Sequence, residues 1–466
     1  MASPIPAAAP VPRGATAVPA SNEPQVSCGV PESSVDAKTE RSGGLAERVR
    51  FEPWYREVTR EQWKAFIAAY LGWVLDGFDF TILTFLLVDI QRSFTVSAAL
   101  AGALGTITLI FRVAGGIGAG TAADRWGRKG PLMFSILWYS MFAFLSGFST
   151  SFRMLFALRA LFGIGMGGVW AAGMPLTLEH WPAHLRGTAS GMMQSGYSLG
   201  FLLSSLVFQL AYPLVNRSNT GWRVMFWIGV LPAFLVLFIM KGVSESPVWL
   251  ERQRHLRNRD QRDRLSLIGL FAPDIVKTTI HTSILMGAFL FMYHSITFWY
   301  PTLLGRMQRP TLPYMLALNV GAVAGAVAIG RLSEGALGRR GAATVSTLVG
   351  ILVIPIYVWT GNSLLLWMGA LLMGFFGAGN FGVVPAYLNE RFPTVVRAAG
   401  AGFAYHVGAG IGSLTPTLVG RLQDLGFTLP YAMTICIAAS GALVMLLMWV
   451  GPETRGRQFR AVDEHT

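Results

Sequence analysis

The sequence predicts an all-α membrane protein in which twelve transmembrane helices form two pseudo-symmetric six-helix halves. Three observations predict this fold class: the composition, a series of long apolar segments and an internal repeat. Hydrophobic residues make up 53% of the 466 residues and charged residues only 13%, and the chain contains 53 glycines. Such a composition is typical of a chain that lies in a lipid bilayer.

Twelve apolar segments follow one another along the chain. Each is long enough to cross about 30 Å of hydrocarbon as an α-helix. Just before the first segment, Thr59 and Gln62 fit a capping box. The predicted spans are 63–88, 98–122, 131–149, 152–178, 188–212, 222–241, 275–300, 312–332, 341–360, 364–388, 398–421 and 428–450.

These segments divide the chain into five regions. Residues 1–53 are rich in Pro, Ala, Ser and Gly, and such a sequence buries too little apolar surface to offset the entropy lost on folding. We therefore expect a disordered cytoplasmic tail there. The other regions are an N-terminal six-helix half at 54–241, a cytoplasmic basic loop at 242–274, a C-terminal six-helix half at 275–450 and a cytoplasmic tail at 451–466.

Basic residues lie in short connections rather than on one surface. The chain has 37 Lys and Arg against 24 Asp and Glu, and the excess collects in alternate connections, which the positive-inside rule assigns to the cytoplasm. We expect a bacterial inner-membrane protein with both termini in the cytoplasm and no nucleic-acid partner. The segment "ERQRHLRNRDQRDR" in the basic loop either fixes this topology or attracts anionic lipid.

An internal repeat relates the two halves. The segment "LEHWPAHLRGTASG" at 178–191 returns as "NERFPTVVRAAGAG" at 389–402, and "GTAADRWGRKG" at 120–130 is echoed by "GRLSEGALGRRG" at 330–341. Duplicated halves of the same orientation are typical of transporters in which one half rocks against the other around a site at the bilayer midplane.

The segment 120–130 resembles the loop signature of the major facilitator superfamily. Two more segments are similar to patterns of that superfamily: "RALFGIGMGG" from Arg159, and "SESPVWLE" at 244–251. The resemblance implies an alternating-access transporter rather than an enzyme. The signature residues are Gly120, Asp124, Arg125, Gly127, Arg128 and Lys129.

Within the superfamily, "WYREVTREQWKAFIAAYLGWVLDGFDF" resembles the start of the sialate:proton symporter family, which includes bacterial sialic acid and lactate permeases. The Asp-Gly-x-Asp pattern of Asp76 and Asp79 also occurs in aromatic-acid:proton symporters. The resemblance therefore implies an organic acid as substrate and a proton gradient, rather than a cofactor, as energy source. The seventh predicted helix keeps part of the lactate-permease signature from His294 onward, but has Thr297 and Phe298 where that signature has Gln-Asp.

The repeated loops predict a gate. An acid, arginines and glycines at a helix junction can pair across the two halves in one state and separate in the other. The same residues could also serve only to fix the turn and the topology. Beyond the signature, the predicted gating residues are Glu179, Arg186, Glu334, Arg339, Arg340, Glu390 and Arg397.

Two acids and a base share the predicted bilayer centre. Asp76 lies about 13 residues, hence about 20 Å, from interfacial Trp63, with Asp79 one turn further on the same face, and Arg112 lies at a similar depth. Intramembrane charges usually mark transport pathways. We expect Asp76 and Asp79 to couple protons and Arg112 to bind a substrate carboxylate through its guanidinium fork. The alternative is a structural pair between helices one and two.

Other polar residues at depth are candidates to line a central cavity, although hydrogen bonding between helices would explain each of them singly. Arg159 lies closer to the outer face and is expected to be an outer gate, a second anion contact or a structural residue. The candidate cavity residues are Trp170, Gln194, His294, Asn380, Tyr387, Tyr405 and His406.

The sequence thus predicts a proton-coupled symporter of a small organic anion, with a lactate-type monocarboxylate favoured. The alternatives are a sialic acid or aromatic-acid proton symporter and, from another class, a pH-independent sugar facilitator. A drug:proton antiporter is disfavoured because "GMMQSGYSLGFLLSS" lacks the proline of that class. No nucleophile elbow, metal-ligand spacing or nucleotide loop is present, and we expect a monomer without a bound metal or cofactor.

Overall fold

The computed structural model describes residues 54–96, 98–215, 221–258 and 266–459, which belong to one compact unit, Glu52–Thr466. These residues form helices and connections, with no β-strand among them. The predicted tail at 1–53 lies outside the described residues, as do residues 460–466 of the predicted C-terminal tail.

Six long helical segments make up the N-terminal half. α1 (Arg60–Phe94) begins with the predicted capping box, in which the Thr59 hydroxyl accepts from the Gln62 backbone N–H at 3.3 Å and the Gln62 side chain accepts from the Thr59 N–H at 2.8 Å. The remaining segments are α2 (Ala98–Trp126), α3 (Lys129–Ser146), α4 (Phe152–His180), α5 (Arg186–Val215) and α6 (Gly221–Gly242), the last interrupted between Ile228 and Pro232.

Six more segments make up the C-terminal half. α9 ends in a π-helical turn at Pro355–Trp359, and α10 contains another at Met373–Ala378 within a glycine-rich stretch. The segments are α7 (Val276–Arg306), α8 (Thr311–Leu332), α9 (Gly338–Trp359), α10 (Ser363–Arg391), α11 (Arg397–Gly412) and α12 (Leu429–Val450). Short helices lie outside this set at Trp54–Glu57, Ala183–Leu185, Pro247–Asn258, Ser266–Gly269 and Thr415–Asp424.

Each of the twelve predicted spans coincides with one of these segments, so the predicted all-helical membrane fold is confirmed. In the described part of the chain, 10 segments are long and apolar enough to cross a bilayer. α3 and α11 are not among them. α11 has only 16 residues, and after a short interruption a second helix follows at Thr415–Asp424. The predicted basic loop at 242–274 is partly helical, at Pro247–Asn258.

Glycines bring α2 and α4 into backbone contact. A Cβ atom on Gly115 would clash with the carbonyl oxygen of Ile164, and one on Gly163 would clash with that of Thr108. Small residues allow such close approach where helices associate without a hydrophobic driving force in lipid. The contact fixes α2, which carries Arg112, against α4, which carries Arg159.

This packing predicts the effect of alanine at two glycines of α2. Gly115→Ala should destabilise the protein by about 1–3 kcal/mol, because overpacking a close helix contact shifts the backbone. Gly118→Ala should be neutral, because a Cβ atom there meets no atom within 4 Å. Thermal unfolding of the two purified variants in one detergent would measure the difference. Equal melting temperatures would contradict the tight α2–α4 contact.

The two halves meet along α2 and α11 and along α5 and α8. A Cβ atom on Gly120 would lie 2.8 Å from the Ala398 carbonyl oxygen, and one on Gly191 would clash with the Ala326 carbonyl oxygen. These contacts lie toward the end of the bundle that holds the repeated loops at 120–130 and 330–341, here called the basic end. In this structure the halves are therefore packed together at the basic end.

Candidate functional site

Asp76 of α1 and Arg112 of α2 form an ion pair inside the N-terminal half, with 3.6 Å between the Asp76 Oδ2 and Arg112 Nη2 atoms. Both side chains are buried, and the Arg112 guanidinium lies 5.3 Å from the centre of the Trp73 ring. Neither Asp76 oxygen, nor the Arg112 Nε and Nη2 atoms, has a hydrogen-bond partner in the described structure. Since a guanidinium and a carboxylate can each hold several hydrogen bonds, this pair has capacity for another ligand.

Aromatic rings from both halves surround the ion pair. Trp170 of α4 stacks on Tyr405 of α11, with 4.1 Å between ring centres and 22° between planes. Trp73 lies 5.4 Å from the ring of Tyr197 and 6.4 Å from that of Tyr405. Tyr293 of α7 lies close enough to Tyr197 and Tyr405 to interact electrostatically. The pair thus faces the interface between the two halves, within a lining of flat rings.

A second charged cluster lies around Asp79. Asp79 is buried, and its charge interacts with that of Arg159 on α4, while Tyr139 of α3 is close to both Asp76 and Asp79. The Arg159 guanidinium donates to the Ser146 hydroxyl at 3.0 Å and lies 4.2 Å from the centre of the Phe162 ring. Each of the two buried aspartates of α1 therefore has a different arginine near it, although only Asp76 and Arg112 lie within 4 Å of each other.

Arg159 was expected to be an outer gate, a second anion contact or a structural residue, and its proximity to Asp79 was not predicted. α1 and α4 run in opposite directions, and Asp79 lies further along α1 than Asp76, toward the end where α4 begins. Asp79 therefore lies near a different arginine, Arg159, whereas from the sequence only Arg112 was predicted near the two aspartates.

Four of the predicted cavity residues lie around the ion pair. Besides Trp170 and Tyr405, His406 packs its ring against Gly116, one turn from Arg112 on the same face of α2, and interacts with the Arg112 charge. Gln194 of α5 is within hydrogen-bonding distance of Tyr405.

The other three predicted cavity residues have different surroundings. His294 hydrogen-bonds through Nδ1 to the Gly412 carbonyl at 3.0 Å, and the Asn380 amide donates to the Thr347 hydroxyl at 2.6 Å. Tyr387 lies near the basic end, with the Arg391 guanidinium 5.9 Å from its ring centre. The structure does not bring Tyr387 to the ion pair.

Asp124 joins the two halves at the basic end. Its carboxylate accepts hydrogen bonds from the backbone N–H groups of Ala398 and Ala399 at 3.0 and 2.8 Å, at the first turn of α11. It also lies 3.1 Å from the Arg128 Nη1 atom of its own half. A carboxylate at a helix N-terminus accepts from the free N–H groups and interacts favourably with the positive end of the helix dipole. This contact therefore holds the basic end closed.

Asp124→Asn should weaken this closure. An amide keeps only one acceptor oxygen and no charge, so one of the two α11 N–H groups loses its partner. We expect slower or unbalanced interconversion between the two access states with nearly unchanged substrate affinity, because Asp124 lies well away from Arg112. Binding and transport rates measured on the same reconstituted protein would test this. Affinity falling in proportion to rate would contradict a gating role and place Asp124 in the binding site.

Two glutamates anchor matching networks in the two halves. Glu179 accepts from Arg128 at 3.1 Å through both of its oxygens and from Arg397 of the other half at 2.8 Å. Its counterpart Glu390 accepts from Arg339 at 2.8 and 3.1 Å. The sequence repeat therefore corresponds to a structural repeat.

Glu334 occupies the place in the C-terminal half that Asp124 has in the N-terminal half. Its carboxylate accepts from the backbone N–H of Gly187 at the start of α5, and lies 3.2 Å from the Arg339 Nη1 atom. Burial raises the pKa of the Glu334 carboxyl despite the neighbouring Arg339. Each half thus sends one acid to the N-terminus of a helix in the other half.

A further matching pair, Glu245 and Glu453, was not predicted from the sequence. The Glu245 carboxylate accepts from the N–H groups of Arg128 and Lys129 at 2.7 and 3.0 Å, and that of Glu453 accepts from those of Arg339 and Arg340 at 2.9 and 3.0 Å. The signal was present, since Glu-Ser follows α6 and Glu-Thr follows α12. Although burial raises the pKa of Glu453, its backbone N–H donors outweigh this effect and lower the pKa.

Glycine is required beside each of these acids. Gly127 has φ +94° and Gly338 has φ +65°, and a Cβ atom on either would clash with, or press against, the neighbouring glutamate carboxylate. A positive φ favours glycine because other residues meet steric strain there. Gly127 of the loop signature is therefore required for its backbone conformation and for the space beside Glu245.

Three predicted gating residues do not connect the halves. Lys129 donates to the Met240 carbonyl at 2.9 Å and Arg340 to the Trp449 carbonyl at 3.1 Å, each within one half. Arg125 is exposed and lies over the adjacent Trp126 ring.

The C-terminal segment crosses the closed interface. The Phe459 ring lies between the guanidinium groups of Arg186 and Arg397, at 3.4 and 3.8 Å, and Arg186 also donates to the Arg457 carbonyl at 2.6 Å. Arg186 belongs to the N-terminal half and Arg397 to the C-terminal half, so this segment contacts both.

Two six-helix halves around buried ion pairs, with a mirrored gate at one end, define a multi-pass membrane transporter. Comparison with known proteins identifies its family: the chain belongs to the Major Facilitator Superfamily, which it matches over residues 69–416. The chain is similar to solved structures of the proton:xylose symporter XylE bound to 6-bromo-6-deoxy-D-glucose (TM-score 0.68, 20% identity, covering 86% of this chain and 98% of that one). It is also similar to the human organic anion transporter MFSD10 (TM-score 0.65, 16% identity, covering 84% and 100%). At these identities the likeness shows the fold alone.

Sequence relatives cover most of the chain. The chain is 34% identical over 416 residues to the probable 4-methylmuconolactone transporter of Cupriavidus pinatubonensis, covering 88% of this chain and 95% of the relative. It is 30% identical over 418 residues to the sialic acid transporter NanX of Escherichia coli, covering 87% and 98%. The cis,cis-muconate transport protein of Acinetobacter baylyi is 27% identical over 371 residues, covering 78% and 88%. The predicted resemblance to bacterial sialic acid permeases is thereby confirmed.

Proposed function

We propose that this protein is a proton-coupled symporter that carries a small organic carboxylate across the bacterial inner membrane by alternating access. The observation that carries the proposal is the buried Asp76–Arg112 pair, whose facing atoms lack hydrogen-bond partners in the described structure. A buried pair in such a state is stabilised further by a ligand that supplies those partners.

Arg112 is the proposed anchor for the substrate carboxylate. A guanidinium binds a carboxylate through two parallel hydrogen bonds, and its contact with Asp76 at 3.6 Å is longer than a hydrogen bond. An incoming carboxylate can therefore compete with Asp76 for Arg112. Asp76, once displaced into a buried environment beside a second negative charge, favours taking up a proton.

Asp79 and Arg159 are proposed as the coupling pair. The two charges interact inside the N-terminal half, next to Tyr139 and away from the interface between the halves. Protonation of Asp79 would remove the negative charge that attracts Arg159, which changes the balance between the two access states. Coupling then arises because reorientation of the loaded carrier is favoured when both acids are neutralised.

The lining favours a flat substrate. Rings of Trp73, Trp170, Tyr197 and Tyr405 surround the ion pair, and such faces stack on conjugated or aromatic bodies. Relatives are named as transporters of cis,cis-muconate and niacin, both of which are flat carboxylates. These observations favour the aromatic-acid alternative over a lactate-type substrate.

The gate at the basic end is proposed to face the cytoplasm, with both termini on that side, as the positive-inside rule predicts. The described structure then represents a state closed to the cytoplasm. We propose that a monomer carries out transport, with the proton gradient as the energy source and no cofactor.

Uptake into proteoliposomes tests the proposal. Labelled lactate, cis,cis-muconate, 4-hydroxybenzoate and sialic acid would be offered separately under an imposed inward proton gradient. We expect accumulation of a flat carboxylate above its external concentration, and loss of this accumulation on addition of an uncoupler. Accumulation of a neutral sugar, unaffected by pH or uncoupler and without uptake of any acid, would overturn the proposal in favour of a sugar facilitator.

A further inference from the structure

The site around Arg112 contains more polar atoms than one carboxylate can use. Besides the ion pair, four buried polar atoms lack hydrogen-bond partners in the described structure: Nε1 of Trp73, Nε1 of Trp170, Oε1 of Gln194 and Nε2 of His406. Buried polar groups in proteins are nearly always hydrogen-bonded. A cluster of unpartnered atoms at a site therefore calls for a ligand or water that supplies the missing partners.

These atoms belong to one neighbourhood. The Trp170 ring lies 4.1 Å from that of Tyr405 and 6.4 Å from that of His406, and the Trp73 ring lies 6.4 Å from that of Tyr405. Gln194 is within hydrogen-bonding distance of the same tyrosine. The unpartnered atoms therefore belong to side chains that lie next to one another and close to Arg112, whose guanidinium is 5.3 Å from the centre of the Trp73 ring.

The four atoms have a defined chemistry. An indole N–H can only donate, so the two tryptophans require acceptors. His406 Nδ1 lies 2.8 Å from the Gly402 carbonyl, to which it donates, and this leaves Nε2 of the neutral ring as an acceptor. The Gln194 carbonyl oxygen also accepts. The site therefore offers both donors and acceptors in addition to the carboxylate anchor.

We infer that the substrate carries, on a flat body and in addition to its carboxylate, a second polar group that both donates and accepts hydrogen bonds as a hydroxyl does. The inference rests on the proposed function, because it takes Arg112 as the carboxylate anchor. The hydroxyl accepts from the Trp170 indole N–H and donates to Gln194 Oε1 or His406 Nε2. A site built in this way rejects an analogue that lacks the hydroxyl, since its buried polar atoms are then left unpaired.

Binding of matched ligands to the purified protein tests the inference. 4-Hydroxybenzoate and 4-methylbenzoate have nearly the same size and the same carboxylate, and differ in a hydroxyl against a methyl group. We expect the hydroxy acid to bind roughly tenfold or more tightly. 3-Hydroxybenzoate and 3-methylbenzoate form a second pair, which covers the other position of the ring.

Two variants locate the recognition, and one serves as control. Trp170→Phe keeps a ring against Tyr405 but removes the N–H, and should bring the preference within about twofold of unity. Gln194→Leu, which removes an acceptor at similar volume, should lower the preference too. The control is Trp227→Phe, because the Trp227 Nε1 also lacks a partner in the described structure but its ring packs against Phe148, outside the site. This control should keep the full preference.

The outcomes separate the inference from the proposed function. Equal affinity for both members of each pair in the wild type, or an unchanged preference in both Trp170→Phe and Gln194→Leu, would overturn the inference while leaving the carboxylate site intact. Failure of every acid to bind, in a protein that binds a neutral sugar, would overturn both.

Discussion

Arg112→Ala loses both binding and transport of the substrate carboxylate, with affinity reduced by roughly 100-fold or more. The side chain supplies the proposed charge-assisted contacts in a buried site, and its removal also leaves Asp76 buried without its cation. Breaking a buried pair by removing one partner typically costs about 3–5 kcal/mol. Radioligand binding to the purified protein, and counterflow in proteoliposomes, would measure the two losses separately.

Arg112→Lys distinguishes the shape of the charge from the charge itself. Lysine keeps the positive charge beside Asp76, so the protein should fold, but an ammonium group lacks the planar fork that binds a carboxylate through two hydrogen bonds. We expect weak binding and slow transport rather than complete loss. Arg306→Ala is a suitable control, because Arg306 is exposed at the end of α7. Wild-type affinity in Arg112→Lys would show that a point charge suffices and would argue against bidentate binding.

The parts of this site that depend on helix depth could be predicted from sequence. Rise per residue is constant in an α-helix, so counting residues along α1 and α2 is enough to place Asp76 and Arg112 at one level. The repeat likewise matched Glu179 with Glu390, because both recur at the same place in the two similar segments at 178–191 and 389–402. The depth of a residue in its helix and the recurrence of a segment can both be read from the order of residues along the chain.

Rotation and neighbourhood could not be predicted in the same way. Arg159 and Asp79 come together because of how α1 and α4 tilt and face each other, which depends on close contacts such as that of Gly173 on α4 with Ala69 on α1. Trp73 and Tyr197 were overlooked because an aromatic residue in an apolar helix is indistinguishable by pattern from ordinary core. Tyr387 was selected by its polarity alone, although its depth places it near the basic end.

The mirrored gate was partly visible in the sequence. Asp124 was recognised from the loop signature, but its actual partners are backbone N–H groups of Ala398 and Ala399, and backbone donors leave no trace in residue identity. Glu245 and Glu453 also accept from backbone N–H groups, so the matching Glu-Ser and Glu-Thr pairs in the sequence can mark these residues but not their partners. For a carboxylate that accepts from backbone N–H groups at a helix end, the sequence can therefore identify the acid but not the helix that it contacts.

Asp79→Asn should separate coupling from transport. Asparagine resembles the protonated aspartate in shape and charge, so the carrier can reorient but no proton needs to bind or leave. We expect loss of gradient-driven accumulation, with substrate exchange between the two sides of the membrane at least partly retained. Accumulation under an imposed proton gradient and exchange at equal pH, measured on the same proteoliposomes, give the two readouts.

The partner of Asp79 provides a further test of the same assignment. Asp79→Asn leaves the buried Arg159 without its counter-charge, which is costly in a low-dielectric interior. The double variant Asp79→Asn/Arg159→Gln should therefore recover thermal stability relative to the single variant, yet remain uncoupled. If the double variant also recovered accumulation, the pair would have a structural role and the coupling proton would bind elsewhere.

Asp89→Asn is the matched control on the same helix. Asp89 lies further along α1, where it accepts a hydrogen bond from the Tyr212 hydroxyl at 2.5 Å and lies 4.0 Å from the exposed Arg92, away from both Arg112 and Arg159. Accumulation should therefore survive in this variant. If Asp76→Asn and Asp79→Asn, reconstituted in equal amounts, both accumulated substrate as fully as Asp89→Asn and with unchanged pH dependence, the two acids would be structural. If α1 carries the coupling proton, Asp79→Asn must lose accumulation while Asp89→Asn keeps it. Of these two aspartates, only Asp79 combines burial, an arginine neighbour and an oxygen without a hydrogen-bond partner in the described structure.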